Sequence, residues 1–355
     1  MKNTIFLIHK PPPRHGTAVI GEMLEHYLKS DENYFLNLSL SSGYHDVGQL
    51  KIRKIINLLG VLLRFISILV RKKVDKIYMG MSINGGGFWR DLVFAILVKL
   101  LNKKLIIHVH TRVGSKMGLT RTTMMRWILR YAACIVPSQA VKSDLVSANL
   151  CLHPVVVLNG VEPVVKVKDS HMFSGAKTNV LYFSNFSFNK GIYVFLEIVS
   201  RLNINDNVHL MVFGSEFGVT SEMILSRAKD LGLSLSLEIC AEPSEDEKRD
   251  MWSRADILIF PSLNEAFGLV CIEAMSAGVL VIASSEGGVV DIIKNYRNGL
   301  TFKPGDSESG YKCLELALRD KNLSRSLAKQ GRKYYLDYFQ ASTFISNFTN
   351  EVNNI

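Results

Sequence analysis

The chain of 355 residues reads as two successive open α/β domains. Its length exceeds the ~100–200 residues usual for one domain. Short apolar runs alternate with segments of helical periodicity along most of it. Between 161 and 177 that rhythm breaks at Pro163, Lys166, Lys168, Asp169, Ser170 and Gly175, a polar linker after which the alternation restarts.

In the first half the runs at 4–8, 34–38, 76–79, 105–110, 134–136 and 155–158 are short and almost wholly apolar, as strands buried on both faces of a parallel sheet must be. Segment 16–29 carries Ile20, Met23, Leu24, Tyr27 and Leu28 at helical spacing, and 90–101 is another apolar helix. The second half restates the alternation without repeating the sequence, with strands expected at 179–184, 208–214, 235–239, 256–261, 279–283 and 300–302. A last helix over 341–352 would set Phe344, Ile345 and Phe348 on one face. Open sheets of this kind bind ligands outside the carboxyl ends of their strands.

Segment 52–70 is strongly apolar, interrupted by Arg64 and bracketed by Lys51, Arg53 and Lys54 before and Arg71, Lys72 and Lys73 after. It falls short of the ~20 uninterrupted apolar residues that span a bilayer. Two readings stay open: a helix buried in the domain, or one lying in a membrane interface with its cations on anionic headgroups. A second basic segment, 121–130, sets Met124, Met125 and Trp127 among Arg121, Arg126 and Arg130 and adds weight to the interface reading.

Hydrophobic residues make up 48% and charged residues 21%, a folding mixture that excludes a disordered chain. The net charge of +10 points to an anionic partner, a membrane leaflet or a phosphorylated substrate. Nucleic acid is not expected, since the chain has neither zinc-ligand spacing nor an RNP-like aromatic run. Five scattered cysteines without a C-x-x-C pair suggest reduced thiols in a cytoplasmic setting, and the apolar run 5–8 is too short for an export signal.

The richest loop follows the run at 256–261 and reads Pro261-Ser262-Leu263-Asn264-Glu265-Ala266-Phe267-Gly268, with a helix expected to start near Gly268. Free N–H groups at such a helix start favour an anion such as a diphosphate, and Gly268 allows close backbone approach. Glu265 in the loop and Glu273 in the helix would accept hydrogen bonds from neutral hydroxyls on one extended ligand. A nucleotide sugar offers hydroxyls on both sides of a diphosphate.

This stretch resembles the retaining glycosyltransferases of family 4, whose GT-B fold sets two facing Rossmann-like domains about an interdomain cleft. Their E-x7-E motif is matched by Glu265 and Glu273, with Pro261-Ser262 before it and Ala274-Met275-Ser276-Ala277-Gly278 after it. Gly287-Gly288, Asp291-Ile292-Ile293 and Asn298-Gly299-Leu300 extend the match over 179–306.

The resemblance implies an acceptor-binding domain over 1–165, a nucleotide-sugar-binding domain over 166–335, and a terminal helix at 336–355 packing back on the first domain. It implies that Glu265 contacts the donor sugar near the anomeric centre and Glu273 the ribose. Backbone groups of Gly268 and Leu269 would face sugar or diphosphate. Lys190, in Ser184-Asn185-Phe186-Ser187-Phe188-Asn189-Lys190-Gly191, matches a diphosphate-binding cation, and Asn185 stands where the family usually has Arg. Gly16 in the loop after the first strand would approach the donor phosphate, with Arg14 and His15 toward the acceptor. His110 at the end of the strand 105–110 would lie near the reacting centre, with Arg112 on the acceptor side.

The chain has no D-x-D pair for holding a metal on the diphosphate, so neither a metal nor another cofactor is expected. The implied activity is retaining hexosyl transfer from a nucleotide sugar to a lipid-linked saccharide of O-antigen, capsule or exopolysaccharide synthesis, on the anionic inner face of the cell membrane. A sugar-nucleotide epimerase of the same fold and a non-catalytic sugar-binding protein are the alternatives.

Overall fold

The computed structural model describes residues 2–12, 15–39, 52–114, 117–165, 173, 175, 177–203, 207–233 and 235–355. The chain divides into two compact units, Met1–Asn159 with Ser342–Ile355, and Gly160–Ala341.

The first unit runs β1 (Thr4–Ile8), α1 (Gly16–Leu28), β2 (Asn33–Asn37), α2 (Ile52–Arg71), β3 (Lys76–Met81), α3 (Gly85–Leu100), β4 (Lys104–Val109), α4 (Leu119–Leu129), β5 (Ala133–Val136), α5 (Gln139–Ser147) and β6 (Val155–Val156). Its six strands form one parallel sheet in the order β2-β1-β3-β4-β5-β6. Every residue of β1 is buried, as the apolar run predicts for a strand covered on both faces. From β1 the chain steps to one side to β2, then returns across it to β3, so strand order reverses between β1 and β3. Ligands of open α/β sheets bind at such a reversal.

The second unit runs β7 (Thr178–Phe183), α6 (Ile192–Val199), β8 (Val208–Gly214), α7 (Ser221–Asp230), β9 (Leu237–Ala241), α8 (Glu245–Arg254), β10 (Ile257–Phe260), α9 (Leu269–Ala277), β11 (Leu280–Ser284), α10 (Val289–Ile292), β12 (Leu300–Phe302), α11 (Ser307–Arg319) and α12 (Lys321–Tyr334). Its parallel sheet has the order β12-β11-β10-β7-β8-β9, which reverses between β7 and β10. Tyr182, Phe186, Phe195 and Leu196 anchor the core on one side of this sheet.

A π-helical turn, Tyr335–Phe339, leads to α13 (Ala341–Asn354), most of which belongs to the first unit. Phe344, Phe348 and Val352 are buried along one face of α13, and Phe348 packs edge-on against Tyr78 at 5.2 Å. Lys76 and Lys104 donate to the carbonyls of Val352 and Ile355 at 2.5 and 2.9 Å, satisfying acceptors a helix end leaves open.

Segment 52–70 is one continuous helix, α2, with Phe65 fully buried against Phe94 of α3. The opposite face carries Ile52, Ile56, Leu59, Leu63 and Val70, all exposed. The buried-helix reading therefore holds for one face only. No described helix is long and apolar enough to cross a membrane.

Candidate active site

In the second unit the parallel pairing of β7 with β10 brings their carboxyl-end loops together at the strand-order reversal. The loop after β7 ends in a short 3-10 turn, Phe188–Lys190. Gly191 follows at φ 72°, and a Cβ there would lie 1.9 Å from the Pro261 carbonyl oxygen, so only glycine lets the two loops touch. The Leu263 amide donates to the Asn189 carbonyl at 2.8 Å, and the Tyr182 hydroxyl to the carbonyls of Asn185 and Lys190.

This contact sets Lys190 Nζ 2.8 Å from Glu265 Oε2. Both side chains are largely shielded, at 29% and 11% exposure, so the attraction is screened less than at the surface. The other carboxylate oxygen of Glu265 accepts from the Phe267 amide at 3.3 Å. Gly268 then turns the chain at φ 107° into α9, whose amino end has no side-chain cap. A cation, a carboxylate and open helix-end N–H groups thus stand together, a combination able to hold an anion with an adjoining hydroxyl.

Leu269 and Glu273 are half-buried on α9. Glu265 and Glu273 both push the buried Cys271 thiol up, adding to the larger effect of burial. Asn185 is half-buried on the same loop as Lys190 and supplies a backbone acceptor there.

In the first unit a second cluster occupies the reversal between β1 and β3. His9 follows β1, His110 follows β4, and a Cβ on Gly80 of β3 would lie 3.7–3.8 Å from both rings. His9 Nε2 is 3.3 Å from Arg90 Nη2. Arginine only donates, so this nitrogen accepts, and the other donates to the Gly80 carbonyl. Arg90 is itself held by the buried Asp91 at 2.7 Å and the Leu38 carbonyl at 2.6 Å. Burial, with Arg90 and His15 nearby, lowers the His9 pKa to about 3.

Burial also lowers His110 to about 3, with His9 and His15 adding to the effect. His110 lies against His108, with ring centroids 3.8 Å apart and the planes tilted by 32°, and has no hydrogen-bond partner among the described residues. Fully buried His108 bonds the Tyr78 hydroxyl through Nδ1 at 2.9 Å, and its Nε2 has no partner among the described residues. His15 caps α1 by accepting from the Ala18 amide at 3.3 Å, and Gly16 opens that helix, exposed. Arg112 is gripped at both ends by Asp144, at 2.5 and 3.1 Å, tying the loop after β4 to α5. Arg14 lies outside the described residues.

Sequence reasoning names neither His9 nor Arg90. His9 had a readable signal, a polar residue directly after a buried strand. Arg90 had none, because its role rests on contacts with residues 38 and 9. Among the described residues no three His, Cys, Asp or Glu side chains converge to hold a metal.

The chain is 25% identical over 270 residues to a lipopolysaccharide 1,2-N-acetylglucosaminetransferase of Salmonella typhimurium, covering 71% of this chain and 68% of that one. It is 24% identical over 224 residues to an uncharacterised glycosyltransferase of Methanocaldococcus jannaschii, where the match covers 59% of this chain and spans 57% of the relative's length. The crystal structure of Anabaena HepE in complex with UDP and glucose superposes with a TM-score of 0.78 at 17% identity and full coverage of both chains, a likeness of fold. The architecture is GT-B, two parallel six-stranded sheets with flanking helices. Residues 166–334, just under half of the chain, match the family of glycosyl transferases group 1.

Proposed function

We propose that this chain is a retaining, metal-independent glycosyltransferase that moves a sugar from a nucleotide-sugar donor to a hydroxyl of a lipid-linked saccharide in surface-polysaccharide synthesis. The observation that carries the reading is the Lys190–Glu265 pair beside the uncapped amino end of α9. The names of the Salmonella relative and of the UDP complex of HepE support the substrate class.

Lys190 has three N–H donors, so it keeps Glu265 with one and offers the rest to the donor diphosphate. The backbone at Gly268 and Leu269 adds helix-end N–H groups to the same charge. Glu265 accepts from a sugar hydroxyl and Glu273 from the ribose. The bond from the anomeric carbon to the acceptor oxygen forms as the bond to diphosphate breaks, and the acceptor proton leaves with the diphosphate. With no D-x-D pair in the sequence, the leaving-group charge falls to Lys190 and the α9 amides. Asn185 supplies no charge there. On the acceptor side we assign His110, whose ring is neutral and has no hydrogen-bond partner among the described residues, with Arg14 and His15 from the loop after β1, while Gly16 at the start of α1 serves the donor phosphate. Arg112 serves that side by holding its loop against Asp144.

The test is transfer from a panel of nucleotide sugars to lipid-linked saccharides extracted from membranes. Lys190→Ala and Glu265→Ala should each lower kcat/KM by about a hundredfold or more, chelators should leave the rate unchanged, and NMR should show a retained anomeric configuration. Undiminished transfer in both variants would overturn the site. Donor turnover without acceptor would point to an epimerase instead.

A further inference from the structure

We infer that α2 is a membrane-seating helix, which lies flat in the headgroup region of an anionic bilayer and holds the first unit there. At 100° per residue, Ile52, Ile56, Leu59, Leu63 and Val70, with Ile55 and Ile66 at the margins, fall within an arc of about 100° running about 27 Å along the helix. All seven are exposed, Ile52 and Val70 by 78% and 80%. Scattered exposed aliphatics are ordinary, but an unbroken stripe on one helix face marks a binding surface.

Charge selects the occupant. Arg53, Arg64 and Arg71 recur on one flank of the stripe, about 100–120° from Ile52, and all three are exposed. Lys72 and Lys73 extend the charge past the helix end, and residues 52–73 contain no Asp or Glu. An antiparallel two-fold contact of α2 with a second copy would bring those arginines onto the same side of the contact, at a like-charge cost. An anionic lipid surface takes both the stripe and the cations.

Neighbouring helices are compatible with that seat. Right-handed crossovers put α2 and α3 on the same side of the sheet, where Phe65 and Phe94 touch at 5.4 Å. Along α3, Trp89, Val93 and Leu100 are also exposed.

The docking is tested apart from transfer, by flotation of the full chain with vesicles of phosphatidylcholine alone or mixed with phosphatidylglycerol. Wild type should float with the mixed vesicles and not with the neutral ones. Raising ionic strength from about 0.1 M to about 1 M shortens the screening length from about 10 Å to about 3 Å and should weaken binding without abolishing it. Leu59→Glu/Leu63→Glu should reduce binding by at least about tenfold, and Arg53→Gln/Arg64→Gln should remove the preference for anionic lipid. These positions are exposed, so the variants should melt like wild type. Wild type failing to float, or the Leu59/Leu63 variant floating equally well, would overturn the inference. So would a dimer in size exclusion that the same variant splits while vesicles are ignored, since a second copy would then cover the stripe.

Discussion

Lys190 and Glu265 meet across 75 positions of sequence only because the loops that carry them touch at Gly191. That residue combines two demands, a left-handed backbone at φ 72° and a 1.9 Å clearance to the Pro261 carbonyl that no side chain can share. Gly191→Ala should therefore destabilise the second unit by more than the ~1 kcal/mol of a helical Gly exchange, since backbone must move as well. It should also lower transfer as Lys190→Ala does, because the pair is pulled apart. Urea midpoints and kcat/KM measured on one preparation check this; a stable, fully active Gly191→Ala protein would mean that the loops have slack. Lys190 and Glu265 were legible as motif positions, each beside a residue type the chemistry needs. Their ion pair was not legible, because no local pattern records which loop lies against which.

The elements themselves were largely written in the apolar runs. All six runs of each half are strands, and segments 16–29, 90–101 and 341–352 are helical over most of their lengths. The boundaries slip where a strand lacks a neighbour. Expected at 235–239, the edge strand β9 occupies Leu237–Ala241 and is buried nowhere along its length, so its side chains carry little pattern. Covering on one side likewise decides α2, whose two apolar faces look alike in sequence although only one packs. At α13 the pattern was plain, and its energy can be measured. Phe348 is fully buried and touches Tyr78, so Phe348→Ala should cost about 3–5 kcal/mol. Urea unfolding should show that loss in the first unit; less than about 1 kcal/mol would mean that α13 contributes little to its core.

Over the whole molecule, protonation links the first unit to pH. Four of the nine histidines, His9, His15, His108 and His110, are gathered there with their pKa values lowered, His9 and His110 to about 3. In the unfolded chain each binds a proton below pH ~6.5. Between that value and the folded pKa the unfolded state holds more protons, so stability rises with pH; it is fully present above ~6.5 and lost as pH falls. The slope is up to about 1.4 kcal/mol per pH unit for each histidine left unprotonated. Asp91 works the other way, since burial raises its pKa, but it sets one proton against four. The units can be followed separately, because Trp89 and Trp127 lie in the first and Trp252 in the second. In a Trp252→Phe background, the fluorescence urea midpoint should fall steadily from pH 7 to pH 4.5. His9→Asn or His110→Gln should flatten that fall by one proton's worth while changing the midpoint at pH 7.5 by a separate, constant amount. A midpoint level from pH 7 to pH 5 would show that these rings take up protons in the folded chain, and that the cluster is open to water in a way its burial argues against.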